Sequence, residues 1–232
     1  MTATTTPTAP TEDSEAEAVR AALAGELGAR LKIAARALTR LMRDPEDTRQ
    51  VFLLYVSLNA TSFPRVIQRF LAEPEGARLM SQRPALDSTT LGFAWLSSLP
   101  AHTLGFAFAR HMADNGLSPD LFQPPPGAPP DVAYLAQRLR QTHDLWHVVT
   151  GYGTGVIDEL ALQAFTYAQM KAPGPLILSV AGALRFGLRD RRAIQRIYQG
   201  YRRGLSARPM LAVAWESLWE LPLAEVRARL NL

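Results

Sequence analysis

Two histidines four residues apart stand beside acidic residues in a segment that also contains three glycines. His143 and His147 are about one helical turn apart, so on a helix both imidazoles lie on one face and can bind one ion. Asp144 follows His143 directly, and Glu159 lies twelve residues beyond His147. Imidazole nitrogens and carboxylate oxygens together suit zinc, iron, manganese or cobalt. The segment therefore predicts a site for a divalent metal ion.

The glycines between the histidines and Glu159 decide whether these residues can meet. On one continuous helix Glu159 would lie about 18 Å from His147 along the axis, too far to share a metal ion. Gly151, Gly153 and Gly155 favour ending the first helix and allow the chain to reverse. Glu159 then returns on the next helix, so the predicted metal site lies between two consecutive helices.

Several neighbouring residues have more than one reading. Asp144 could be a ligand, a partner that orients a histidine, or a general base. Arg140 stands about one turn before His143 and could bind a substrate carboxylate or phosphate, or form a helix ion pair with Asp144. Without a metal, the histidine pair would be two partly buried residues of a packed helix. His102 and His111 have no acidic neighbours at ligand spacing, and we expect them to be ordinary core or surface residues.

Composition narrows the function classes. The 232 residues include no cysteine, so no disulfide can form and no thiolate can bind metal or attack a substrate. Ligands must then come from His, Asp or Glu. The formal net charge of +4 falls well short of a nucleic-acid-binding tail, and we expect no nucleic-acid partner.

Apolar residues recur at helical spacing without strand-type alternation, which predicts an all-α fold. We expect a disordered tail at 1–14 and a single helical domain at 15–232 with a proline-rich connector at 123–130. Asp87 and Asp131 are expected helix caps, the second for the helix that carries the histidines. The predicted helices cover residues 15–43, 44–60, 63–73, 75–82, 87–98, 101–115, 131–150, 155–171, 176–188, 190–204, 207–220 and 222–230.

An apolar stretch from Pro175 to Leu184 precedes an arginine-rich segment. It is either an interfacial segment, whose apolar side chains enter lipid while arginines meet head groups, or a core helix followed by a solvated basic helix. The candidate lipid-contacting residues are Leu176, Ile177, Leu178, Val180, Leu184 and Arg185. No run approaches the roughly 20 apolar residues that span a bilayer, and no targeting peptide is evident at the N-terminus, so we expect a soluble or peripheral protein.

The spacing of His143, Asp144, His147 and Glu159 resembles the signature of the coenzyme Q (ubiquinone) biosynthesis family known as Coq-four. The resemblance covers roughly residues 45–232. Segments before the histidines and near the C-terminus are also similar to that family: Tyr134-x-x-x-Arg138-x-Arg140, Ala214-Trp215-Glu216 and Leu221-Pro222-Leu223-Ala224-Glu225-Val226-Arg227.

The resemblance implies an all-α fold with a hydrophobic lipid cavity for a polyprenyl tail. It implies a divalent metal, usually zinc, on His143, Asp144, His147 and Glu159. From their positions beside this site, Arg140 and Asp144 are the candidate catalytic residues. The implied reaction is oxidative decarboxylation of a polyprenylated phenolic substrate, in which a hydroxyl replaces the ring carboxylate. Peripheral membrane contact and work beside other ubiquinone biosynthesis proteins are also implied. Since no mitochondrial targeting segment is evident, we expect a bacterial relative, cytoplasmic and on the inner face of the cell membrane.

Two other functions stay open at this stage. A non-catalytic prenyl-lipid-binding scaffold would organise the ubiquinone enzymes and use its metal structurally. A helical hydrolase of phosphate esters would need two metals and more His and Asp ligands than the chain offers. A homodimer is also left open.

Overall fold

The structure, a computed structural model, describes residues 25–44, 48–120, 129–188 and 190–232. Within these residues there is no β-strand, and the prediction of an all-α fold is confirmed. The predicted tail at 1–14, the start of the predicted helix at 15–43, residues 45–47 of the predicted helix at 44–60 and most of the connector at 123–130 lie outside the described residues. One domain over 15–232 stays a prediction.

Short turns join most of the helices. They are α1 (Leu27–Arg43), α2 (Thr48–Asn59), α3 (Phe63–Ala72), α4 (Pro74–Gln82), α5 (Phe93–Ser98), α6 (Leu104–Asp114), α7 (Pro130–Gln141), α8 (His143–Thr150), α9 (Val156–Met170), α10 (Pro173–Gly187), α11 (Arg191–Ser206) and α12 (Leu223–Leu230), with a 3-10 turn at Trp215–Ser217. None of the described helices combines the length and apolar character needed to cross a membrane.

Helices α1 and α2 belong to a unit of their own. The α1 helix buries Ala34 and Ala37, while Leu27 and Leu31 are exposed. Its Arg30 Nε donates a hydrogen bond to the carbonyl oxygen of Ser57, at 3.0 Å, near the end of α2. Small residues on one face and this buried side-chain bond therefore hold the two helices together.

The described residues from Thr61 onward form the unit that contains the predicted site. Its core is built from fully buried aromatic and aliphatic side chains, including Phe70, Phe108, Leu145, Phe165 and Trp215. Leu145 lies on the histidine helix α8 and Phe165 on the following helix α9. Both helices of the predicted site are therefore anchored in this core.

The prediction of a helix at 207–220 is wrong. The segment is irregular, with turns and one 3-10 turn, because its backbone groups bond to other elements. Met210 N–H donates to Gln169 Oε1 at 2.9 Å, Arg208 N–H donates to the Leu230 carbonyl at 2.9 Å, and the Val213 carbonyl accepts from Arg138. Apolar side chains are buried along the segment, so its composition resembles that of a buried helix.

Two helix starts also differ from prediction. Asp87 Oδ1 accepts the N–H groups of Thr89 and Thr90, both at 3.0 Å, and this closes a local turn, so the helix begins only at Phe93. The predicted helix at 131–150 is divided at Thr142 into α7 and α8. Its N-cap is Pro129, and Asp131 pairs instead with Arg83 at 2.6 Å.

Candidate metal centre

The chain reverses between α8 and α9 where the glycines predict it. Gly151 adopts φ +73°, a left-handed conformation that suits glycine, and its N–H donates to the carbonyl oxygen of His147 at 2.8 Å. Helix α9 starts at Val156, and Glu159 lies in its first turn. The reversal turns Glu159 toward the two histidines of α8.

Three side chains with metal-ligating atoms converge at this reversal. His147 Nε2 lies 3.0 Å from Glu159 Oε2 and 3.2 Å from His143 Nε2, and His143 Nε2 lies 3.5 Å from Glu159 Oε1. Two ligands that bind a tetrahedral ion at about 2.0–2.1 Å lie about 3.3 Å from one another. The three side chains therefore have the spacing of a coordination shell.

The hydrogen bond on the other side of His147 fixes which ring nitrogen carries the proton. Its Nδ1 lies 3.1 Å from the carbonyl oxygen of Tyr152, which can only accept, so Nδ1–H is the donor. In a neutral imidazole Nε2 then presents a lone pair toward Glu159. Lone pairs and a carboxylate that face each other at these distances require a proton or a metal ion between them.

The charges of the cluster influence one another because the carboxylate of Glu159 lies beside two imidazoles. Burial opposes ionisation of Glu159, yet the interactions with His143 and His147 outweigh it and hold the pKa of Glu159 well below its usual value. Burial also opposes protonation of His143, but the neighbouring Glu159 carboxylate raises the pKa of His143 above its ordinary value. Both shifts describe a Glu159 carboxylate that stays ionised next to the imidazoles.

Asp144 points toward a different partner. Its Oδ1 lies 3.6 Å from Nε2 of His111 on α6, and it is not part of the three-residue group that could hold a metal among the described residues. The His111 ring stacks on the ring of His147, with centroids 5.6 Å apart and 21° between the planes. The prediction that His111 is an ordinary core or surface residue is therefore wrong, because its ring lies against His147 and beside Asp144. Asp144 as a ligand stays a prediction.

Residues 25–232 match the family model described as coenzyme Q (ubiquinone) biosynthesis protein Coq4. The chain belongs to the Coq4 family. It is 30% identical over 209 residues to the mitochondrial ubiquinone biosynthesis protein COQ4 homolog of Drosophila ananassae, covering 89% of this chain and 76% of that protein.

Fungal relatives are longer than the matched part of this Coq4-family chain. It is 35% identical over 180 residues to the mitochondrial ubiquinone biosynthesis protein coq4 of Talaromyces stipitatus, covering 75% of this chain and 62% of the relative. The match to COQ4 of Coccidioides immitis covers 60% of that relative. The chain thus spans less than two thirds of these fungal proteins.

A solved structure of a protein from Nostoc punctiforme assigned to ubiquinone biosynthesis has the same fold as this chain. The two superpose with a TM-score of 0.70 and 28% identity, and the match covers 86% of this chain and 96% of the other.

Arg140 lies in the last turn of α7, before the histidine helix of this Coq4-family chain. Its positive charge opposes the protonation of His143 and so works against the rise in the pKa of that imidazole. The Arg140 guanidinium is therefore close enough to His143 to act on the site electrostatically. That Arg140 binds substrate stays a prediction.

Two arginines from the C-terminal half cap the histidine helix. Arg227 donates to the carbonyl oxygens of Val148 and Val149, both at 2.9 Å, and Arg203 donates to that of Thr150, also at 2.9 Å. Guanidinium groups at this end stabilise the unpaired carbonyls and the negative end of the helix dipole. The last turn of α8, which carries His147, is therefore held from outside.

Replacing Gly151 with alanine tests the reversal. Because φ is +73°, alanine is strained there, and we expect a loss of about 1 kcal/mol in the free energy of unfolding, measured by urea denaturation. Gly155→Ala is the control, since Gly155 has φ −66° and an added Cβ would meet nothing within 4 Å; only the smaller loss of replacing an N-cap glycine by alanine is expected. Equal effects of the two substitutions would contradict the assignment.

The candidate lipid-contacting residues lie on different faces of α10. Leu176, Val180 and Leu184 are exposed at a spacing of four residues, and Leu184 is 66% exposed. Arg185 is also exposed, Ile177 is partly buried and Leu178 is buried. An apolar groove of about 360 Å³ lies between α9, α10 and α11, lined by Leu176 and Val180 as well as Ala164, Tyr167, Ile194, Ile197, Tyr198 and Tyr201.

Proposed function

We propose that this Coq4-family protein is a metal-dependent enzyme of ubiquinone biosynthesis. Its reaction replaces the ring carboxylate of a polyprenylated phenol by a hydroxyl. The observation that carries the proposal is the convergence of His143 Nε2, His147 Nε2 and a Glu159 carboxylate oxygen at the spacing of metal ligands. Family membership supports the pathway, and this geometry supports the chemistry.

The exposure of the cluster favours a catalytic over a structural metal. Structural sites are closed by four protein ligands, whereas catalytic sites keep a position open to water or substrate. Here His147 is only 3% exposed, but the side chains of His143 and Glu159 are 33% and 36% exposed. The described residues group three ligands, which leaves one side of the cluster accessible.

We assign zinc to the three converging side chains; iron, manganese or cobalt would use the same donors. The bound cation would stabilise negative charge that develops on the phenol and ring. Arg140 would bind the ring carboxylate through its guanidinium. Asp144, held against His111 at 3.6 Å, would either complete the ligand set or accept the phenol proton.

The proposed reaction requires an oxidant, and dioxygen balances it. The bond between the ring carbon and the carboxyl carbon breaks and carbon dioxide leaves. One oxygen atom of dioxygen becomes the new ring oxygen and the other leaves as water with the phenol and carboxyl protons. The ring therefore emerges as the quinone, in which the new oxygen is a carbonyl, and the hydroxyl form is its two-electron, two-proton reduced state. A zinc ion does not change its redox state, so with zinc the electron-rich ring itself must react with dioxygen.

The polyprenyl tail has a candidate site in the same unit. We propose that it lies in the apolar groove between α9, α10 and α11, while Leu184 and Arg185 contact the membrane surface. Exposed apolar residues at helical spacing, followed by an arginine, are the features that support this placement. The protein would then act peripherally on the inner face of a bacterial cell membrane, beside other ubiquinone biosynthesis proteins.

The test uses the zinc-loaded full chain and a polyprenylated hydroxybenzoate with an isotopically labelled carboxyl carbon, in detergent micelles under air. We expect release of labelled carbon dioxide together with a ring product that has gained oxygen. Glu159→Gln, which removes the carboxylate and keeps its volume, should bind the lipid without converting it. Zinc-loaded wild-type protein that binds the substrate and leaves it unchanged would contradict the enzyme and favour a prenyl-lipid-binding scaffold.

A further inference from the structure

Helix α11 contacts the loop between the two ligand-bearing helices through two arginines. Arg196 and Arg203 are seven residues apart on this helix, and both guanidinium groups stack on the ring of Tyr152, with their carbons 4.7 Å and 5.1 Å from the ring centroid. Tyr152 is buried, and no hydrogen bond to its hydroxyl is found among the described residues. The ring is therefore held by cation–π contacts and burial rather than by its hydroxyl.

Tyr152 is also the residue that orients His147. Its carbonyl oxygen accepts the hydrogen bond from His147 Nδ1 at 3.1 Å, and this bond aims Nε2 at Glu159. Gly151 and Gly153 flank Tyr152. Because glycine allows many backbone conformations, the neighbouring residues alone restrict the direction of this carbonyl only weakly. The direction of the carbonyl is then determined by the contacts of the Tyr152 side chain and by the hydrogen bond that Gly153 N–H, in the same peptide plane, donates to Asp158 Oδ2.

The same two arginines also bind the loop on either side of Tyr152. Arg203 Nη1 donates to the carbonyl oxygen of Thr150 at 2.9 Å, at the end of α8. Arg196 Nε donates to Asp158 Oδ1 at 2.7 Å, and the other oxygen of Asp158 accepts the N–H of Gly153 at 2.9 Å. Together they fix the end of the histidine helix and the start of the helix that carries Glu159.

Helix α11 can do this because it is held closely against α9. A Cβ atom added to Gly200 would lie 2.1 Å from the carbonyl oxygen of Ala161, and one added to Gly204 would lie 2.6 Å from that of Phe165. Contacts this close require glycine and leave little freedom for one helix to slide on the other. The arginines therefore project from a fixed support.

We propose that Arg196 and Arg203 are positioning residues of the metal centre, which act through Tyr152 to hold the His147 imidazole facing Glu159. This inference rests on the proposed metal site. Neither arginine is a ligand: each contacts the Tyr152 ring, and the Tyr152 carbonyl in turn contacts His147. Partners that orient a ligating histidine typically change metal affinity by 10- to 100-fold when removed. We expect the lower end of that range, about tenfold, because the carbonyl itself remains in each variant.

The experiment measures the zinc dissociation constant of the full chain by competition with a chromophoric chelator. Arg196→Met, Arg203→Met and Tyr152→Leu should each weaken zinc binding about tenfold. Tyr152→Phe keeps the ring and loses only the unbonded hydroxyl, so its affinity should equal that of the wild type. Calorimetric melting in the absence of metal checks that every variant is folded.

Two arginines provide matched controls. Arg202 lies on the same helix and is exposed, so Arg202→Met should leave zinc affinity unchanged. Arg227 caps the same end of α8, and in the described part of the chain it makes no cation–π contact with Tyr152. Arg227→Met should therefore lower the melting temperature but change zinc affinity by less than about twofold. This difference separates positioning of His147 from general support of the helix.

Arg196→Met is the decisive variant, because the side chain is 40% exposed and its replacement leaves the core intact. Wild-type affinity in folded Arg196→Met and Tyr152→Leu would overturn this inference while leaving the metal site standing. Wild-type protein that binds no zinc would overturn the proposed function and, with it, this inference. Weakened binding in both variants, with wild-type affinity in Tyr152→Phe and Arg202→Met, is the result expected.

Discussion

His147→Ala lowers the zinc content of the purified protein from about one ion per chain to a small fraction of that value. His147 is the central member of the cluster, since its Nε2 lies 3.2 Å from His143 Nε2 and 3.0 Å from Glu159 Oε2. Without it, one imidazole and one carboxylate remain in the group. Elemental analysis of protein dialysed against buffered zinc measures the change.

The matched control for this loss is His102→Ala. His102 is exposed, and the described residues place it in no group with metal-ligand spacing, so its removal should leave zinc content unchanged. Added zinc should raise the melting temperature of wild-type and His102→Ala protein but not of His147→Ala, because only an occupied site links metal binding to folding. Full zinc content in His147→Ala would show that the ion binds outside the cluster of His143, His147 and Glu159.

Arg138→Met is expected to lower the free energy of unfolding by about 3 kcal/mol, measured by urea denaturation. Arg138 is 1% exposed and forms a two-pronged pair with Glu216, at 2.7 Å and 3.0 Å. It also donates to the carbonyl oxygen of Val213 at 3.0 Å. Removing Arg138 leaves the partly buried Glu216 carboxylate and the Val213 carbonyl without their donor. A buried ion pair that loses only one partner costs stability because the remaining charge is uncompensated.

An exposed pair provides the comparison. Arg83 and Asp131 lie 2.6 Å apart, but their side chains are about half exposed, so Arg83→Met should cost less than about 1 kcal/mol. A loss below about 1 kcal/mol for Arg138→Met as well would show that its buried pair contributes no more than a surface pair. The bonds of Arg138 to Glu216, in the 3-10 turn, and to the Val213 carbonyl just before it also hold this part of the chain against α7.

The sequence was sufficient to predict the parts of the site that depend on local spacing. His143 and His147 share a face because they are four residues apart, and Gly151 ends their helix because glycine accepts a positive φ. The return of Glu159 follows from that reversal. The resemblance also grouped the segments around Arg138 and Glu216 without indicating that the two side chains pair, 78 residues apart.

Contacts between distant helices could not be read from spacing. His111 reaches Asp144 from a helix 33 residues earlier, and Arg196 reaches Tyr152 from one 44 residues later; no period along the chain encodes either distance. The helix predicted at 207–220 failed for a related reason. An apolar segment buried by several elements has the composition of a core helix, and only its backbone partners reveal that it is irregular.

Anomalous diffraction from crystals grown with zinc, collected on both sides of the zinc absorption edge, tests the metal centre most directly. We expect one strong peak within about 2.0–2.2 Å of His143 Nε2, His147 Nε2 and an oxygen of Glu159. The same map shows whether Asp144 joins the ion or stays beside His111. Zinc-containing crystals with no peak between α8 and α9, or with the Glu159 carboxylate turned away from both histidines, would contradict the account.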